Sequence, residues 1–105
     1  MLMNSRLLLA IMAACLMTPA YADPIEDAMT KAGCLACHSK DKKIIGPAYK
    51  DVAAKYKGQD VTAKLMDKVR KGGSGSFGPV PMSPTGPDKI SDADLKAAIE
   101  SILKS

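Results

Sequence analysis

The chain has 105 residues, with 15 basic and 11 acidic side chains, three cysteines, one histidine and no tryptophan. That length holds one small domain. The mild basic excess, with no long basic run and no aromatic-spaced basic stripe, excludes a nucleic-acid-binding surface.

Residues 1–22 read as an export signal rather than as fold. Arg6 supplies a short positive segment, Leu7 to Met17 is apolar throughout, and Ala20-Tyr21-Ala22 is a small-x-small cleavage pattern, so cutting after Ala22 is expected. The apolar run, about 11 residues, is shorter than the roughly 20 a membrane-crossing helix needs, which disfavours a retained anchor and any stable membrane insertion. Lipoprotein processing at Cys15 is also disfavoured: Met12-Ala13-Ala14 lacks the usual leucine, and apolar Leu16 and Met17 follow the cysteine.

The remaining domain, residues 23–105, keeps Cys34 and Cys37, three methionines (Met29, Met66, Met82) and three aromatics (Tyr49, Tyr56, Phe77). Its net charge is +3, from 14 basic and 11 acidic side chains. So few large side chains cannot close a core alone, and domains of this size usually depend on a disulfide, metal or cofactor.

Four helices are expected in chain order, with no period-2 strand. Asp23 caps the first, with Pro24 at its first position and Glu26 at N3. Ile25, Ala28, Met29 and Ala32 share one face up to Gly33. Pro47 opens the second, whose stripe is Tyr49, Val52, Ala53 and Tyr56 and whose stop is Gly58. Asp60 caps the third, with Val61, Leu65, Met66 and Val69 on one face and Lys68, Arg70 and Lys71 near its negative end. Ser91 caps the fourth, with Asp94 at N3 and Leu95, Ala98, Ile99, Ile102 and Leu103 as its stripe. Between the third and fourth lies Gly72 to Lys89, where Pro79, Pro81, Pro84 and Pro87 forbid a helix and stiffen the chain. A structureless stretch this long inside a compact domain is usually functional. A linker reading is disfavoured because the residues after Lys89 make only one helix.

The chemistry is concentrated in Cys34-Leu35-Ala36-Cys37-His38, the c-type haem attachment motif. Two thiols on one turn can meet the two vinyl groups along one side of a porphyrin, and the adjacent His38 can reach the iron. A zinc site needs about four protein ligands, and residues 23–105 offer two cysteines and one histidine with no second pair. A redox dithiol would sit beside a βαβ pattern and would not require the histidine.

His38 is the sole histidine, so the sixth iron position falls to Met, Lys, another group or water, or stays open. Met82 stands out, 44 residues after His38 in the proline-held segment Pro79-Val80-Pro81-Met82-Ser83-Pro84. Met29 and Met66 lie on apolar helical stripes and read as core fillers.

The sequence resembles the short class I bacterial cytochromes c across residues 23–105. The matching stretches are Gly33-Cys34-Leu35-Ala36-Cys37-His38, Ile45-Gly46-Pro47-Ala48-Tyr49-Lys50-Asp51-Val52-Ala53-Ala54-Lys55-Tyr56, and Gly78-Pro79-Val80-Pro81-Met82. The resemblance implies an all-α cytochrome c-like fold around one covalent haem c, with thioethers to Cys34 and Cys37 and axial ligands His38 and Met82. It implies that the Pro47 carbonyl accepts a hydrogen bond from the far nitrogen of His38, and that Lys68 lies near a haem propionate.

It further implies a soluble, monomeric, periplasmic electron carrier and not an enzyme. Donors and acceptors would be redox proteins such as a cytochrome complex or a periplasmic nitrite reductase or terminal oxidase. Lys31, Lys40, Lys42 and Lys43, near the attachment site in sequence, are expected to steer docking. A haem enzyme or gas sensor would need an open iron site, and a structural subunit would need a permanent interface.

Two departures from the family stand out. Relatives commonly carry tryptophan where this chain has Phe77, which keeps apolar bulk but has no N–H for a propionate, so the propionate should be bonded elsewhere or more solvated. Relatives also cross an aromatic in the first helix with one in the last. Here Met29 meets only aliphatics, which predicts a softer contact.

Overall fold

The computed structural model describes residues 23–105, so the expected export signal and Cys15 lie outside the described residues. Four α-helices follow in order: α1 (Pro24–Lys31), α2 (Tyr49–Lys55), α3 (Thr62–Lys71) and α4 (Asp92–Leu103). A short 3-10 turn, Cys34–Ala36, follows α1. The one β feature among the described residues is an isolated antiparallel bridge between Gly73 and Met82. The expected all-α cytochrome c-like architecture is present.

Helix α4 is the hub, with α1, α2 and α3 each packed on it. Its sequence suits that place, because Leu95, Ala98 and Ile99 recur at helical spacing and all three are buried. Ser91 begins the helix as expected, its hydroxyl accepting the Asp94 N–H at 3.2 Å. Asp23 begins α1, its carboxylate accepting the Ile25 N–H at 2.9 Å.

Two helix starts differ from expectation. α2 begins at Tyr49 rather than Pro47, with Ala48 as its cap and no side-chain oxygen there. The preceding loop does the capping: the Tyr49 and Lys50 N–H groups donate to the carbonyls of Ser39 and Lys40 at 2.9 and 3.1 Å. α3 has Val61, not Asp60, at its cap and no side-chain cap bond. Val61 is buried, and packing rather than a carboxylate fixes where this helix starts. Glu26 also closes no capping box and instead pairs with Lys40 at 2.6 Å.

The core is divided. Met29, Tyr49 and Ala98 form one buried cluster, against which Ile25, Cys34 and Ile102 pack. Ile90, Leu95 and Ile99 form another, joined by half-buried Leu65, Met66 and Val69. Met29 and Met66 are thus core fillers. The crossing of α1 and α4 is not left to aliphatic contacts, because Tyr49 from α2 supplies the aromatic bulk beside Met29 and Ala98.

Candidate haem site

A cavity of about 580 Å³ is lined by side chains from all four helices and from the long loop. That volume lies in the ordinary range for small-molecule and cofactor sites. Cys34, Cys37, His38, Pro47, Lys68, Phe77 and Met82 all line it. Seven residues spread over nearly fifty positions of sequence therefore converge on one space.

The 3-10 turn delivers the first three. Gly33, at φ +84°, turns the chain out of α1 in a conformation that L side chains rarely adopt. The Cys34 carbonyl then accepts the N–H groups of Cys37 and His38 at 3.2 and 3.0 Å, which brings both thiols and the imidazole round one tight turn. The two cysteines are half-buried and share no disulfide. Burial pushes the Cys34 thiol up, so it is held in its neutral form.

His38 is fixed from two sides. Its Nδ1 lies 2.8 Å from the Pro47 carbonyl oxygen. Since a carbonyl can only accept, Nδ1 carries the proton and Nε2 keeps its lone pair for a metal. The Tyr49 ring stacks beside the imidazole, with centroids 5.5 Å apart and planes 23° apart. The same short α2 start thus supplies a carbonyl that orients the imidazole and a ring that packs against it.

Met82 arrives from the loop. Its N–H and carbonyl both pair with Gly73, each bond 2.9 Å long. The bridge demands glycine at Gly72, where φ is +69° and a Cβ would stand 2.4 Å from the Met82 carbonyl oxygen. Phe77 lines the cavity but is partly exposed. It meets the Tyr56 ring edge-on at 6.4 Å, and Lys55 Nζ lies 4.5 Å from its centroid. Lys55 also donates to the Ser76 carbonyl.

The four lysines near the attachment turn separate into two groups. Lys31 pairs with Asp27 at 3.0 Å and Lys40 with Glu26 at 2.6 Å. Lys42 and Lys43 are exposed and have no ion-pair partner among the described residues. The cavity wall also has exposed apolar neighbours, Leu35 and Ile44 beside the attachment segment and Val80 on the loop.

In the sequence Tyr49 reads as a helix-stripe residue, and nothing local marks Gly46 or Gly72 as a position of close approach. A Cβ on Gly46 would stand 2.5 Å from His38 Cε1, a close approach that no periodicity reveals.

The residues present fit one covalently attached haem. They offer two thiols on one turn, a metal-ready Nε2, a thioether, and apolar walls from Val52, Leu65, Val69 and Ile99.

Comparison with known proteins agrees. Residues 23–104 match the family model described as Cytochrome c. Cytochrome c2 of Rubrivivax gelatinosus is 54% identical over 85 residues, covering 80% of this chain and 99% of that protein. Cytochrome c-552 of Nitrosomonas europaea is 42% identical over 92 residues, 87% of each chain. The crystal structure of wild-type Nitrosomonas europaea cytochrome c552 superposes with a TM-score of 0.66 at 42% identity, covering 75% of this chain and 96% of that one. The class 1 cytochrome MtoD of Sideroxydans lithotrophicus ES-1 superposes with a TM-score of 0.65 at 30% identity, over 76% of this chain and 90% of that one.

Proposed function

This chain belongs to the cytochrome c family and is an electron carrier with one covalently bound haem c; we propose that Cys34 and Cys37 hold that haem by thioethers while His38 and Met82 ligate its iron. The observation that carries the assignment is the convergence of these four side chains on one cavity, with the His38 proton committed to Pro47.

Bound haem supplies a one-electron Fe(III)/Fe(II) couple, and everything else is the work of this chain. The Pro47 carbonyl orients the imidazole and strengthens its donation through Nε2. The Met82 thioether and the apolar walls would favour the reduced state of bound haem and raise its potential. Held among prolines, Met82 would bar outside ligands from the bound haem, which supports outer-sphere electron passage over substrate turnover. Lys68 places a cation at the cavity wall, suited to a propionate. Phe77 contributes a ring and no donor, so propionate bonding falls to other groups and to water.

The carrier works in the periplasm as a soluble monomer after removal of residues 1–22. The apolar run ahead of Ala20-Tyr21-Ala22 supports export, and no helix among the described residues is long and apolar enough to cross a membrane. Its partners are redox proteins of a respiratory chain, a cytochrome complex upstream and a periplasmic reductase or oxidase downstream.

The ligand assignment is tested with Met82→Ala. The low-spin thioether signature should disappear and the potential should fall. An unchanged spectrum and potential would assign the sixth position to another group. The mass of protein isolated from periplasm should equal residues 23–105 plus one haem.

A further inference from the structure

Met82 sits on a segment outside the helices, and every residue from Gly73 to Thr85 lines the cavity. Besides the Phe77 ring against Tyr56, the segment is tied to the rest of the chain by hydrogen bonds. The Gly73 bridge holds Met82 itself. Three residues on, Thr85 is held twice: its N–H donates to the Val69 carbonyl at 2.9 Å, and its carbonyl accepts Arg70 Nη1 at 3.2 Å.

The other branch of the same guanidinium, Nη2, lies 2.6 Å from Asp92 Oδ1. Arg70 is only 19% exposed although Asp92 is 83% exposed, so the arginine is drawn in under the loop rather than extended into solvent. Asp92 is the first residue of α4, where a carboxylate is already favoured by the helix dipole. Its negative charge is thus favoured there with or without its partner. A planar fork with several donors can serve a carbonyl and a carboxylate together, which a lysine ammonium on one stem does poorly.

We propose that Arg70 is a positioning residue for Met82: it ties the Thr85 carbonyl to the start of α4, and so transmits the rigidity of the α3–α4 packing to the ligand loop. This rests on the reading of Met82 as iron ligand. Arg70 touches neither the iron site nor the attachment cysteines; it sets how often the loop opens.

The test uses oxidised holoprotein and imidazole, which can take the sixth position only when the Met82 segment opens. At saturating imidazole the binding rate reports the opening rate. Arg70→Met keeps the stem and removes the donors, and should raise that rate about five- to tenfold, with Arg70→Lys between it and the parent. Asp92→Asn, which leaves the Thr85 bond in place, should raise it less than Arg70→Met does. Amide exchange at Met82 and Thr85 should quicken in Arg70→Met while Ala98 and Ile99 in mid-α4 stay protected.

An unchanged opening rate, or a uniform loss of protection that includes Ala98 and Ile99, would overturn the clamp. Should Met82→Ala remove the thioether signature while Arg70→Met leaves opening unchanged, the clamp alone fails. Should Met82→Ala leave the signature intact, the ligand reading beneath it fails.

Discussion

His38 Nδ1 donates to the Pro47 carbonyl across 2.8 Å, and the adjacent Gly46 has no room for a side chain, since a Cβ there would stand 2.8 Å from that same nitrogen. Imidazole and backbone are in contact along the whole Gly46–Pro47 step. Gly46→Ala should push the ring off its acceptor at a cost of about 1–3 kcal/mol. The weakened hydrogen bond lowers imidazole donation, so the potential should rise while the haem stays low-spin. Thermal melts and a redox titration check both; a variant with unaltered melting temperature and potential would show that the close approach has no consequence.

Gly58 and Gly72 share a positive φ, 75° and 69°, but not their surroundings. A Cβ on Gly58 meets nothing within 4 Å, whereas one on Gly72 meets backbone atoms of Met82, Ser83 and Pro84 at 2.4–3.0 Å. Gly58→Ala should cost about 1 kcal/mol for backbone conformation alone. Gly72→Ala should cost about 3 kcal/mol or more and weaken the thioether signature, because the obstacle is main chain. Denaturant titrations with parallel optical spectra decide it, and equal costs would mean that the loop yields freely.

The Tyr49 hydroxyl is buried and has no hydrogen-bond partner among the described residues. Burial raises its pKa above the usual 10.0. The unfolded chain then releases this proton at a lower pH than the folded chain does. Stability is therefore intact below pH ~10 and declines as pH rises past it. Tyr49→Phe should be neutral or stabilising by about 1 kcal/mol near neutral pH, and should reduce the alkaline decline. Denaturation of both proteins at neutral and alkaline pH is the measurement, and an identical decline in each would acquit Tyr49.

Among the described residues Lys42 and Lys43 have no carboxylate partner, unlike Lys31 and Lys40. Docking that relies on steering should therefore run through this pair. Lys42→Glu with Lys43→Glu should slow second-order electron transfer to an acidic redox partner about tenfold at low salt, with the difference shrinking as salt rises. Stopped-flow rates over a salt series give the answer. Rates indistinguishable at low salt would discard steering.

Much of this fold was legible because its signals are local. Asp23 and Ser91 announce helix starts through side-chain oxygens, and the α4 stripe announces a buried face through its spacing. Where capping is long-range, sequence misleads: α2 takes its cap from the carbonyls of Ser39 and Lys40, which no local pattern encodes, and α3 starts at a buried Val61 instead of the tempting Asp60. The site shows the same division. Cys34, Cys37 and His38 fall within five residues and Met82 stands among prolines, so types and spacing single them out as candidates, and all four line one cavity. Tyr49, Gly46 and Arg70 contribute through a stacked ring, a missing Cβ and a forked donor, and those roles exist only once distant segments meet.

The Asp23 cap on α1 would give the proposed export processing a structural stake. Were the leader cut after Ala22 as proposed, the freed ammonium of Asp23 would lie at the positive end of α1, where a cation is least welcome. The carboxylate of that same residue faces the Ile25 N–H at 2.9 Å and supplies the compensating negative charge. The proposed new terminus and the first hydrogen bond of α1 thus fall on a single amino acid, Asp23. Trimming one residue further would expose Pro24 as the terminus and leave α1, which presents the haem-attachment turn, without its lid.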